Sequence, residues 1–278
     1  MIKKLTLFVS CCAAATTLYA KAVESDIIAF EKKRFESNKQ IELKNVELHF
    51  KQEMKQKDWY AYILNIEANY QGKAVKFKDI VFSNGIVVAP ELLDIKSGNS
   101  LKESVVPSLS NKYYNKSNLL LGNSNAKDKI VVFSDPLCPF CMDYIPDVIK
   151  HVEKNKEKVA LYYYHFPLLQ IHPASKTLSE LMDVAQEQGV KDIILRTYTA
   201  DWDKYFAENE TDEKKILESF NKEFNLNITL EQIQAKKIQD KILNDISMAE
   251  DVLVQGTPTI FVNGQYDKSK TKFLETGK

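Results

Sequence analysis

The feature that most restricts what this chain can fold into is FSDPLCPFC, residues Phe133 to Cys141, between the run Lys129–Phe133 and a helical pattern. A strand that hands over directly to a helix, with two thiols three residues apart at the junction, forms a redox device more readily than a staple. At helical spacing, positions 138 and 141 lie on one face, at about the Cα separation a disulfide needs. With Cys138 in the first turn, free backbone N–H groups and the positive helix end would favour its thiolate, the reactive species. Cys141, one turn further in, is better shielded and can attack a mixed disulfide formed on Cys138. Pro139 suits a first turn, where its missing N–H costs no intrahelical bond, and Phe140 completes the intervening pair.

A C-x-x-C pair can also be half of a zinc site or a coincidence. Zinc would need two more ligands, and the four histidines His49, His151, His165 and His172 form no C-x-x-C or H-x₃-H partnership. No metal and no cofactor are expected beyond the redox-active Cys138–Cys141 disulfide. Formal net charge is zero, with no basic or acidic block, so nucleic acid is not an expected partner.

Residues 1–22 form a separate object. Lys3 and Lys4 precede an apolar run from Leu5 to Ala15, followed by small-residue cleavage options around Ala20 and Ala22. This pattern reads as a secretory signal peptide, too short for a membrane span. Cys11 and Cys12 fall within it, and a lipid anchor at Cys11 would leave an unusually short apolar segment. Removing the signal leaves two cysteines of four, both in the motif. A protein exported to an oxidising compartment with that pair alone is not held together by disulfides.

From residue 23 to 94 the pattern is a helix (24–36) and then alternation. Ile41, Leu43, Val46, Leu48 and Phe50 precede the cleanest strand, with Tyr60, Tyr62, Leu64, Ile66, Ala68 and Tyr70 on one face. Gln71-Gly72-Lys73 and Ser83-Asn84-Gly85 read as turns. So small an α+β unit has a thin core and edges to cover, which points to a dimerisation domain and a homodimer. Residues 95–127, rich in Ser, Asn, Lys and Gly, read as a linker.

Residues 128–278 contain strand 129–133, the helix from Cys138, and the apolar strand Val159–Tyr164. A helical insert follows, about 168–254, including Pro173–Gln188 stopped by Gly189 and a helix from the Thr229/Gln232 capping box toward Val254. Gly256-Thr257-Pro258 then leads into strand Thr259–Val262 and the Asn263-Gly264 turn. An X–Pro bond is the place for a cis peptide, and one here would aim the Thr257 backbone at an extended substrate.

This order, with FSDPLCPFC followed much later by GTPTIFVNG, resembles the thioredoxin fold of bacterial periplasmic Dsb thiol:disulfide oxidoreductases. It looks most like the DsbC/DsbG group, dimeric disulfide isomerases with a cystatin-like N-terminal domain. YYYHFPLLQIHPAS (Tyr162–Ser175) is also similar to the wider DsbA-like set. The resemblance implies an α+β cystatin-like dimerisation domain joined by a linker to an α/β thioredoxin-fold catalytic domain with a helical insertion. It implies that Cys138 is the nucleophile, Cys141 the resolving thiol, Pro258 the cis-proline and Thr257 its substrate-binding neighbour. Cysteine-containing exported proteins would be the substrates, a membrane redox partner would reset the pair, and the periplasm would be the compartment.

Two departures matter. Thioredoxin and DsbA look-alikes carry a buried carboxylate six residues before the first cysteine, where this chain has Val132, as DsbC-like sequences also have an apolar residue. Proton transfer at Cys141 then needs water or another group, such as Asp135. Phe140 stands where strongly oxidising DsbA has histidine, which implies a less extreme oxidant. His165 and His172 read as satisfied structural residues and Tyr162–Tyr164 as core aromatics. A DsbA-like dithiol oxidase, and a non-catalytic holdase in which the cysteines only tether, are the competing functions.

Overall fold

A computed structural model of the protein describes residues 24–38, 41–70 and 72–278; the segment 1–22 that reads as a signal peptide, with Cys11 and Cys12, and turn residue Gln71 lie outside these. The chain divides into two compact units, Met1–Val105 and Val106–Lys278.

In the first unit, helix α1 (24–36) precedes an antiparallel sheet of β1 (Ile41–Glu53), β2 (Tyr60–Tyr70), β3 (Lys73–Ser83) and β4 (Val88–Ala89), in that spatial order. Tyr62, Leu64, Ile66 and Ala68 of the alternating face are buried, and Ile27 of α1 joins Val46, Tyr62, Leu64, Ile66 and Val81 in one cluster. The Arg34 guanidinium fastens α1 to the sheet by bridging Glu31 on its own helix and Asp79 on β3. Burial pushes the Glu31 carboxyl up despite that arginine. The outer strand β1 is paired on one side only.

The second unit has a five-stranded sheet ordered β5-β7-β6-β8-β9. Its strands are β5 (Leu119–Gly122), β6 (Asp128–Ser134), β7 (Val159–His165), β8 (Thr259–Val262) and β9 (Gln265–Tyr266). β6 and β7 run parallel, the other pairs antiparallel. Both faces of the two central strands are covered, which explains their continuous apolar character. Ile130, Val132, Leu161, Tyr163 and Ile260 face one core; Val131, Phe133, Tyr162, Tyr164 and Phe261 face the other.

Helix α2 (Pro139–Lys154) follows β6 and buries Cys141, Ile145, Val148, Ile149 and Val152, the face its 3.6-residue periodicity predicts. Pro146 lies inside the helix without ending it. The insert comprises α3 (Ala174–Glu187), α4 (Ile193–Thr199), α5 (Glu213–Phe224), α6 (Leu230–Gln234) and α7 (Lys236–Asp251). A buried ionic group ties it to the sheet: Lys241 donates to both oxygens of Asp183 at 2.7 and 2.8 Å, and Asp183 faces His165 Nε2 at 3.3 Å. Burial raises Asp183, but His165 and Lys241 outweigh it and hold the carboxyl below its usual range.

Two local features differ from the sequence expectations. The supposed linker 95–127 contains edge strand β5 and buries Leu109, Tyr113 and Ala126 against the sheet. Gly122 shows why this edge is tight: with φ +91°, a Cβ there would stand 2.0 Å from the Val159 carbonyl oxygen. The Thr229/Gln232 capping box is formed, yet its helix stops after one turn. Ala235 is extended (φ −57°, ψ 132°), and Gln239 Nε2 caps the Ile233 carbonyl at 2.7 Å before α7 begins.

Candidate redox site

The sheet register brings the two distant motifs together. Phe133 pairs with Thr259 and Val132 with Ile260, so the residues just before β8 stand beside those just after β6. Thr257–Pro258 is a cis peptide. The Cys138 thiol reaches the Thr257 carbonyl oxygen at 3.5 Å. Cys138, Cys141, Thr257 and Pro258, separated by more than a hundred residues, therefore share one site.

Cys138 caps α2, and Pro139 takes the first helical position. Its carbonyl accepts from Cys141 N at 2.8 Å and Met142 N at 3.0 Å. Both thiols are free in this structure. The Cys138 thiol is lowered to about 5, first because the Cys141 thiol donates to its sulfur, then through Thr257 and the backbone N–H groups of Cys141 and Phe140, against the opposing effect of burial. The helix mouth holds no acidic side chain in its first turn to oppose that charge. Cys141 is the reverse case: sealed in the core, its thiol is pushed far up, chiefly by burial and by donating to Cys138. The Thr257 hydroxyl is buried and, among the described residues, has no partner within hydrogen-bond geometry.

Asp135 is the residue on which the approach to the helix depends. Its Oδ1 accepts from Leu137 N (2.7 Å), Cys138 N (3.1 Å) and Ser175 Oγ (2.6 Å); its Oδ2 accepts from Leu168 N (2.6 Å) and meets His172 Nδ1 (3.2 Å). With both oxygens occupied by five partners, this carboxylate is a structural clamp. His172 thus has a structural partner, as does His165 through Asp183. The tyrosines of β7 are core aromatics, and Tyr163 also carries a hydrogen bond to Tyr198.

Only about 5% of Cys138 is exposed, whereas Phe140 is 73% exposed. Two grooves lie at the mouth of α2. One, of about 340 Å³, is lined by Phe140, Tyr144, Pro258 and Phe273 together with Asp143, Asp147 and Lys270. The other, of about 180 Å³, lies by Pro139 and mixes Leu137, Met142, Trp202 and Phe206 with Asp201, Asp203 and Glu208. Sequence reasoning passed over Ser134 and Tyr198, which lie behind Cys141. Tyr198 sits 64 residues from Ser134 in a stretch without a motif. Among the described residues, no helix is long and apolar enough to cross a membrane.

A reactive dithiol at a helix mouth, faced by a cis-proline loop on the same sheet, defines a thioredoxin-type exchange site. The family model described as thioredoxin matches residues 114–274, more than half of the chain, and the chain belongs to that family. It is similar to the probable disulfide bond formation protein D of Bacillus anthracis, 28% identical over 159 residues covering 52% of this chain and 69% of that protein. The protein of the same name in Bacillus cereus is 27% identical over 155 residues, with the same coverage. Among solved structures, BdbD from Bacillus subtilis in its oxidised form is 19% identical and covers 62% of this chain and 92% of its own, with a TM-score of 0.49. The chain is thus a Dsb-type thiol:disulfide oxidoreductase. The broader expectation of a thioredoxin-type Dsb protein is met, while the finer likeness to the DsbC/DsbG group is not confirmed by these relatives, which are named for disulfide formation.

Proposed function

We propose that the protein is a dithiol oxidase that introduces disulfides into cysteine-containing proteins exported to the periplasm. The observation that carries this reading is the Cys138 thiol set at the mouth of α2 against the cis Thr257–Pro258 peptide, where the Cys141 thiol and backbone N–H groups lower it; the relatives named for disulfide bond formation support it. Whatever stabilises a thiolate stabilises the reduced pair, and so makes the disulfide a better oxidant. C-x-x-C thiols run from ~7 in reducing thioredoxin to ~3.5 in strongly oxidising DsbA. A lowered thiol favours the oxidising direction, and Phe140 in place of histidine supports an oxidant short of the extreme.

The reaction proceeds in two exchanges. A substrate thiolate attacks Cys138 of the oxidised pair, and Cys141 leaves as a thiolate. A second substrate thiolate then attacks the substrate sulfur of the mixed disulfide, and Cys138 leaves with the electron pair. The Thr257–Pro258 backbone would hold the peptide extended, and the two grooves at the helix mouth, each with apolar and charged lining, would receive its flanking side chains. A membrane redox partner would reoxidise the pair, with no cofactor beyond the disulfide itself.

Isomerisation by a homodimer is a second reading. It is favoured by the half-paired edge of β1 and by the apolar side chains Ile86, Val87, Leu93 and Ile95 that the first unit leaves exposed. Supplying the oxidised protein to a reduced, unfolded substrate, and the reduced protein to a scrambled one, separates the two. The oxidase reading expects fast thiol loss in the first assay and little rescue in the second. The opposite pattern, together with a dimer by light scattering, supports isomerisation instead. A holdase would keep its protective effect in Cys138→Ala; an oxidase loses all exchange.

A further inference from the structure

Exchange at this site creates charge where the protein is driest. When an incoming thiolate opens the oxidised pair, a bond forms between its sulfur and Cys138. The Cys138–Cys141 bond breaks, and its electron pair stays on the sealed Cys141 sulfur. A buried anion needs a hydrogen-bond donor. Val132 offers none, and the Asp135 carboxylate is an acceptor already occupied by five partners, which leaves the Ser134 hydroxyl foremost, with the Asp135 backbone N–H and the Thr257 hydroxyl as the other groups that favour the anion.

Three buried hydroxyls lie behind that sulfur. Ser134, the last residue of β6, stands beside Cys141. Its Oγ accepts from the Tyr198 hydroxyl at 2.6 Å, and Tyr198 Oη faces Tyr163 Oη at 2.7 Å. Since Tyr198 gives its proton to Ser134, Tyr163 must be the donor to Tyr198. The Ser134 proton is then the one free to turn toward Cys141. Donations in series through a low-dielectric interior strengthen one another. Both phenols are pushed well above their ordinary range by burial, so they stay neutral and the row acts as oriented dipoles.

We propose that Ser134 donates a hydrogen bond to the Cys141 thiolate each time exchange produces it, with Tyr198 and Tyr163 as positioning residues that orient and polarise its hydroxyl. This rests on the exchange reading above and supplies what the missing carboxylate leaves open. The donor lowers the barrier to opening the disulfide without itself losing its proton. The anion is later neutralised by solvent or by re-forming the disulfide.

The test uses the full chain, oxidised, with dithiothreitol as the opening thiol and acid-quenched alkylation as the readout between pH 5 and 8. Ser134→Ala should slow opening about ten-fold, the scale of a hydrogen bond to a charged group, and Ser134→Thr should recover most of that loss. Tyr198→Phe should slow it about three-fold, and adding it to Ser134→Ala should cost little more, because the two act in one row. The Cys138 alkylation rate of each reduced variant, a readout of the intact helix mouth, should stay within about two-fold of the parent. Opening at the parental rate in Ser134→Ala overturns the proposal, as does alkylation falling in step with opening, or additive losses in the double variant. Should Ser134→Ala fail to fold, an unchanged rate in Tyr198→Phe overturns it alone. A parental pair inert to dithiothreitol would instead remove the exchange reading, and this proposal with it.

Discussion

The mouth of α2 and the core one turn behind it hold the same side chain in opposite states. At the mouth, Cys138 collects donors from Cys141, Thr257 and two backbone N–H groups, and its thiol falls to about 5. Inside, Cys141 loses water on every side and its thiol rises. One helical turn therefore separates the sulfur that favours the anion from the one that stays a neutral donor, and each state supports the other because the Cys141 thiol donates its hydrogen bond to the Cys138 sulfur. Position relative to the helix end, more than residue type, decides the chemistry.

The comparison breaks most completely by removing one sulfur at a time. Cys138→Ala should abolish thiol oxidation of a reduced protein substrate. Cys141→Ala should retain attack on a disulfide substrate but accumulate mixed disulfides, visible as slower bands on a non-reducing gel. Absence of those bands would contradict the assignment of Cys141.

Next in size is Asp135→Asn. An amide cannot accept on both sides, so at least one of the donors at Leu137, Cys138, Leu168, Ser175 or His172 is left facing a donor. The cost should be about 3 kcal/mol in urea unfolding, typical of a broken buried charged network. A change within experimental error would show that the loop before the helix is held by other contacts.

Comparable in size is the effect of pH on stability, whose sign follows from the two thiols. Cys138 is depressed on folding, so in the reduced protein it contributes stability that is full above its unfolded value near 9 and is lost as pH falls toward about 5. Cys141 is raised, so its contribution is full below about pH 9 and erodes as pH rises beyond it. Urea midpoints of the reduced form, corrected for the oxidised form in which neither thiol titrates, should climb between pH 5 and 9. A falling difference over that window would reverse the account. The mildest change is Phe140→Ala: the exposed ring should affect protein substrates by about three-fold and dithiothreitol hardly at all.

Much of the second unit was legible because local chemistry and tertiary role coincide there. The C-x-x-C after an apolar strand, Pro139 in the first turn, and the Asn263-Gly264 hairpin are signals whose cause lies within a few residues. Cys138 and Pro258 could be paired in advance only through the family resemblance. What escaped is held by distant partners. Leu119–Gly122 has no alternation and becomes a strand by pairing with β7; Ala235 breaks a continuous helical pattern through a contact from Gln239. Ser134 and Tyr198 carry no motif and meet only once β6 and α4 are packed. In the first unit, strand alternation was plain, but periodicity shows which side of a strand is buried and not what covers its edge.

The most direct measurement is the pH dependence of Cys138 alkylation, or of thiolate absorbance, in the reduced protein. A thiol that titrates near 5 and is fully reactive at neutral pH is the result this account requires. A midpoint near 9, with sluggish alkylation at pH 7, would contradict it.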